Sequence, residues 1–154
     1  MRNPLRQWLI DPIATLLRQG ITPEKIALSI AVGSIVGIFP VLGTTTVLVT
    51  LAAAALRLNL VAVHTVHYAM TPLQVLLIIP FVRVGEHIVG AARQPLSISE
   101  GMELISHGAL HAIDVLWDAI VHAIVGWLAI GPAALLLCYW VARYFLARPV
   151  VSQP

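Results

Sequence analysis

The apolar positions of this chain run together more than they alternate. Between Lys25 and Arg57 no residue is charged, and the stretch reads IALSIAVGSIVGIFPVLGTTTVLVTLAAAAL, with Pro40 and Gly43 near its middle. An apolar run of about 20 residues suggests a bilayer span, because the hydrocarbon core is about 30 Å thick. This run is too long for one straight span and is interrupted halfway. Thr22-Pro23-Glu24 is a helix start: threonine as cap, proline in the first turn, an acid at the positive end. The pattern predicts a helix running to Phe39, a stop at Pro40-Val41-Leu42-Gly43, and a second helix opened by Thr44, Thr45 and Thr46 that reaches Arg57. The limbs would be roughly 25 Å and 20 Å long, short of a comfortable span. With Lys25 and Arg57 at the two ends, residues 23–57 read as a re-entrant hairpin whose ends share one side. Two thin, kinked spans are the competing topology.

A second apolar unit, residues 59–83, repeats the plan. Asn59 is a cap, LVAVHTVHYAM a helix, Thr71-Pro72 a break, and LQVLLIIPFV a second helix ending at Arg83, with Pro80 as a further kink. Gly85-Glu86-His87 is expected to leave the bilayer, with Arg83 pairing Glu86 three residues on. Paired, proline-interrupted apolar segments are the best pointer in a sequence to a transporter's binding site.

Flanking segments are more polar. In residues 1–22, Leu5, Trp8, Leu9, Ile13, Leu16 and Leu17 recur at helical spacing beside Arg2, Arg6 and Arg18. They read either as an interfacial helix in the headgroup plane or as a helix packed on the remainder. Ser97 and Glu100 form a capping-box pair. Residues 97–118 then read as an amphipathic helix on which Glu103, His107, His111, Asp114, Asp118 and His122 make one polar stripe. Residues 119–146 form a C-terminal span kinked at Pro132, with Tyr139, Trp140 and Tyr144 as an interface belt. The fold class is therefore an all-α integral membrane protein: two proline-broken hairpins, an amphipathic helix and a C-terminal transmembrane helix in one domain.

Composition agrees. Of 154 residues, 59% are hydrophobic and 10% charged, against about 45–50% and 25% in soluble domains. The net charge of +2 comes without a basic, aromatic-interleaved stripe, which disfavours nucleic acid as partner. Cys138 is the only cysteine, so no internal disulfide forms.

Two groups of residues are candidates for chemistry. At a helix start the first N–H groups lack intrahelical partners and the end is partly positive. Pro40, Gly43, Thr44, Thr45, Thr46, Thr71, Pro72 and Gln74 would line two facing helix starts able to hold an anion such as a lipid phosphate. The same threonines would serve equally as plain caps. His107, His111, Asp114, Asp118 and His122 could bind metal or relay protons, with His64 and His67 as further partners, or form a solvated face. An ionisable group inside a bilayer usually faces a cavity or a partner, which favours Asp118 and His122. Ser29, Gly33 and Gly37 fall four apart on one helix face and read as a helix-packing surface. Cys138 lies in an apolar run where a thiol stays protonated, and no cofactor is implied.

The run GITPEKIALSIAVGSIVGIFPVLGTTT, then LRLN, a TP-L-Q break and a PFVRVG exit, resembles the bacterial membrane family known as domain of unknown function 2062. The resemblance covers about Gly20 to Gly85. Leu42 stands where the family commonly has proline, Thr44 where it has glutamine, Thr71 for the asparagine of the second break and Gln74 for its threonine. Relatives of this kind can be joined to glycosyltransferase modules, so the resemblance implies envelope glycolipid work in the bacterial inner membrane. The expected function is binding or translocation of an anionic lipid or lipid-linked sugar carrier. A non-catalytic membrane subunit or anchor for an envelope-synthesis enzyme is the second expectation, and the small-residue faces make a homo-oligomer a further one.

Overall fold

A computed structural model describes residues 21–93, 97, 99, 103, 106, 110 and 116–147. The described residues form four helices and no strand: α1 (Pro23–Ile35), α2 (Thr45–Ala55), α3 (Leu60–Val89) and α4 (Trp117–Ala147). The expected helix over residues 1–22 and most of that over 97–118 lie outside the described residues.

Local chemistry explains most boundaries. Thr22 caps α1 by accepting from the Lys25 amide, with Pro23 in the first turn. The helix stops at Ile35, four residues before the expected Phe39. Proline disfavours helical backbone at the residue before it, and Pro40 therefore releases the chain ahead of itself. Residues 36–44 turn until Thr45 starts α2, with Gly43 at φ +85°. The end of α2 is a Schellman turn: the Leu58 amide bonds Ala53 O and the Arg57 amide bonds Ala54 O. Arg57 takes the left-handed position at φ 52°, where a non-glycine residue costs roughly 1–2 kcal/mol. Asn59 Oδ1 then caps α3 at the Ala62 amide. The equivalent left-handed residue beyond α3 is Gly90.

The second broken hairpin expected over 59–83 is not there. α3 runs unbroken for 30 residues through both Pro72 and Pro80, and passes Arg83 to end at Val89. A proline inside a helix removes one hydrogen bond and costs about 3 kcal/mol. Unwinding an apolar segment would strand several backbone groups, each costing several kcal/mol without water. The first break carries Gly37 and Gly43 to help it turn; no glycine lies between Leu60 and Val84.

The contacts fix the direction of each helix. Gly33 packs on Val63 and Val66, Gly37 on His67, and Phe39 O accepts from Gln74, so α1 and α3 run the same way. Thr46 meets His67 and Thr50 meets His64, so α2 returns antiparallel to α3. Gly85 abuts the His122 backbone and Gly126 that of Phe81, so α4 is also antiparallel to α3. Trp127 reaches Ile35 and Arg143 lies 3.6 Å from Glu24, consistent with that direction. Glu24, Lys25, Arg57 and Arg143 thus share one end of the bundle. Arg83, Glu86 and Asp118 share the other.

Two small cores hold the bundle. Ile35, Ile38, Phe81, Val82, Ala119 and Ala123 form one; Val32, Val49, Ala53, Leu58 and Val63 form the other. Ser29 is buried, its hydroxyl donating to Lys25 O. α3 and α4 are long and apolar enough to cross a membrane, and only 22% and 17% of their most apolar stretches are buried within the chain.

Glycine is required where α3 and α4 touch, because a Cβ on Gly126 would overlap the Phe81 carbonyl. Gly126→Ala is expected to destabilise the fold by about 1–3 kcal/mol through forced separation of the helices, read as a lowered melting midpoint in detergent. Gly43→Ala has open space around it and meets only the backbone penalty. Equal midpoints for Gly126→Ala and wild type would show that the helices do not approach this closely.

Candidate functional site

The break between α1 and α2 presents two helix ends with opposite needs. The end of α1 needs donors for its last carbonyls, and the start of α2 needs acceptors for its first amides. Residues from distant helices satisfy the first. Trp127 Nε1 donates to Ile35 O at 3.0 Å and Gln74 Nε2 donates to Phe39 O at 2.7 Å. The Trp127 indole also meets the Phe39 ring edge-on, with centroids 5.1 Å apart. Gln74 is only 2% exposed. It was expected to sit at a second helix start; inside an unbroken α3 it serves the first break from the side.

The start of α2 is left open. Thr44, the residue ahead of the helix, makes no side-chain cap; its hydroxyl donates back to Val41 O at 2.9 Å. Thr44 and Thr46 are exposed, Thr45 is buried, and nothing stands within 4 Å of the Cβ position of Gly43. Pro40 is buried in the turn. Thr71 and Pro72 are exposed residues within α3. Thr71 therefore caps no helix start, and the proposed pair of facing helix N-termini reduces to one.

Beside this open end lies a polar seam; the sequence offered His64 and His67 as partners of the Glu103–His122 stripe, but not their pairing with Thr46 and Thr50. His67 Nε2 is 3.4 Å from Thr46 Oγ1, and His64 Nε2 is 3.1 Å from Thr50 Oγ1. The Thr50 hydroxyl proton is already given to Thr46 O at 2.6 Å. Thr50 Oγ1 can therefore only accept, which makes His64 Nε2 the donor and leaves its Nδ1 with a bare lone pair when neutral. The Nδ1 atoms of His64 and His67 are both buried without a hydrogen-bond partner, and His67 is 2% exposed. Tyr68 stacks beside His64 at 5.9 Å and lies 5.0 Å from His67. The spacing signal was available: Thr46/Thr50 at i, i+4 and His64/His67 at i, i+3 each lie on one helix face.

Elsewhere, Asp118 is exposed in the first turn of α4, and His122 is partly buried with its Nδ1 unpartnered. His107, His111 and Asp114 lie outside the described residues. Among the described residues no group of three or more His, Cys, Asp or Glu is placed to hold a metal ion. Arg83 pairs with the buried Glu86 at 2.8 Å.

The arrangement is that of an all-helical protein with two helices of membrane-spanning length and an open helix start beside a histidine–threonine seam. The chain belongs to the family described as "Uncharacterized protein conserved in bacteria (DUF2062)", whose model matches residues 4–153. No curated protein and no solved structure matches it.

Gln74→Leu should strand the Phe39 carbonyl and cost about 1–3 kcal/mol. Hydrogen exchange is expected to accelerate across 36–44 while the middle of α4 is unchanged. Unaltered exchange in that segment would remove Gln74 from its role as the clasp of the break.

Proposed function

We propose that this protein is an integral membrane protein that receives the anionic headgroup of a lipid, or of a lipid-linked sugar carrier, at the start of α2. The observation that carries the reading is the uncapped start of α2 within an apolar bundle. The break runs alongside His67 to Gln74, seven to fourteen residues into α3, or roughly 10–20 Å from that helix's beginning. With α3 and α4 in the bilayer, the hairpin α1–36–44–α2 is re-entrant: its ends share one side and its turn lies within the hydrocarbon. Amides left without a side-chain cap there would have no water to bond and would need an acceptor. The positive helix end favours a negative one. The Thr46 hydroxyl and the His67 imidazole add polar groups at the same place. A soluble protein's core helices would be mostly buried, whereas α3 and α4 leave most of their apolar surface outward.

Thr44→Asp separates binding from folding. A carboxylate at position 44 complements the helix end by about 0.3–1 kcal/mol and repels a second anion. The expected result is an unchanged or raised melting midpoint with several-fold weaker retention of phosphatidylglycerol in native mass spectrometry. Undiminished retention counts against the site; loss of both stability and retention returns the residue to a structural role. Movement of fluorescent phospholipid or polyprenyl phosphate across proteoliposomes, measured against empty vesicles, distinguishes translocation from binding.

A second reading, a membrane subunit for an envelope-synthesis enzyme, draws on the exposed row Leu136, Leu137, Trp140, Tyr144 and Phe145 of α4. Co-purification of one glycosyltransferase-type enzyme in equal amounts from mild detergent would favour it.

A further inference from the structure

The charged residues divide unequally between the ends of the bundle. Lys25, Arg57 and Arg143 lie at the end where α1 begins and α4 finishes. Arg143 lies 5.5 Å from the centre of the exposed Trp140 ring and 3.6 Å from Glu24. Arg57 holds a left-handed turn position that Gly90 fills at the end of α3, so a cation stands where glycine would be unstrained. The chain before α1 adds Arg2, Arg6 and Arg18, and Arg148 directly follows α4. No apolar run of spanning length separates any of these from the bundle end. At the opposite end the bases are Arg83, already paired with Glu86, and Arg93. The connection between α3 and α4 carries Glu100, Glu103 and Asp114, and Asp118 follows in the first turn of α4. Three of the five described Lys and Arg residues thus share one end, and in the sequence Arg2, Arg6, Arg18 and Arg148 flank the helices that begin and finish there.

We infer that this basic end docks on the anionic headgroups of the cytoplasmic leaflet and that the acidic α3–α4 connection lies on the outer side. The inference rests on the membrane reading above and adds an orientation and a lipid partner. Lys and Arg close to the ends of spanning segments in short connections set orientation, and the cytoplasmic leaflet attracts basic residues at its surface. Trp140, Tyr139 and Tyr144 surround Arg143 in sequence as an interfacial belt. The orientation also assigns the route to the open start of α2. That helix is 11 residues long and descends roughly 16 Å from the basic end, so an anionic lipid reaches it from the cytoplasmic leaflet.

The test uses the full chain with Cys138→Ala as background and one added cysteine, Ala55→Cys at the basic end or Ala92→Cys at the acidic end; both positions are exposed. Sealed spheroplasts are treated with a membrane-impermeant maleimide before and after permeabilisation. Alkaline carbonate extraction is run on the same membranes. The expected result is immediate labelling of the Ala92→Cys variant and labelling of the Ala55→Cys variant only after permeabilisation. The reverse order overturns the orientation, and equal labelling of both in sealed spheroplasts overturns a single orientation. Release of the protein by carbonate overturns the membrane reading itself. In the detergent-purified protein, Lys25→Gln with Arg57→Gln is expected to lower retention of phosphatidylglycerol relative to phosphatidylcholine several-fold in native mass spectrometry; an unchanged ratio overturns the lipid contact.

Discussion

A backbone that leaves the helix inside an apolar stretch strands its own polar groups, and the organisation of this protein follows from how that is met. The break after Ile35 exposes carbonyls on one side and amides on the other. Trp127 and Gln74 reach in from two other helices to bond the carbonyls. Both contacts span long sequence separations, so the end of α1 is secure only while α3 and α4 stay packed around it. Backbone hydrogen bonding and helix packing are thereby one problem with one solution.

The packing in turn depends on glycine. Gly33 and Gly37 admit the α3 backbone and His67, and Gly85 and Gly126 bring α3 and α4 into main-chain contact. Close approach of this kind suits an environment in which apolar side chains gain nothing by leaving solvent, because dispersion contacts grow as backbones approach. The small cores and the largely outward apolar surfaces of α3 and α4 fit the same account. Stability would come from contact geometry more than from area hidden from water.

Against that well-satisfied frame, the start of α2 and the Nδ1 atoms of His64 and His67 stand out. Buried polar groups in folded proteins are usually paired. Helix breaks elsewhere in membranes are tolerated where they are buried in protein or line a cavity. Here the carbonyl side meets that condition through protein side chains, while the start of α2 has no side-chain cap. In the proposed function an acceptor from lipid would complete it, which is why the proposed ligand is anionic. The proposed orientation rests on the same membrane reading but draws on charges at the bundle ends and on none in the break.

The sequence by itself determined the apolar class of the chain, the break before Thr45, the caps at Thr22 and Asn59, and the family, because each rests on local composition or on residues within one turn. It misjudged the second unit. Thr71-Pro72 has the composition of a break, but the cost of one lost hydrogen bond is smaller than the cost of unwinding, and no glycine eases a turn. Gln74 was legible as a polar residue among apolar ones, yet its partner is Phe39, 35 residues away. The Thr46–His67 and Thr50–His64 pairs were likewise beyond the pattern, since helical spacing shows which face a residue occupies and never which helix lies opposite. The hairpin reading of residues 23–57 already put Lys25 and Arg57 on one side; only the tertiary structure decided that α2 returns along α3 and that Arg143 joins them at that end. Direction and register come from which backbones can approach, and that is a property of the assembled bundle.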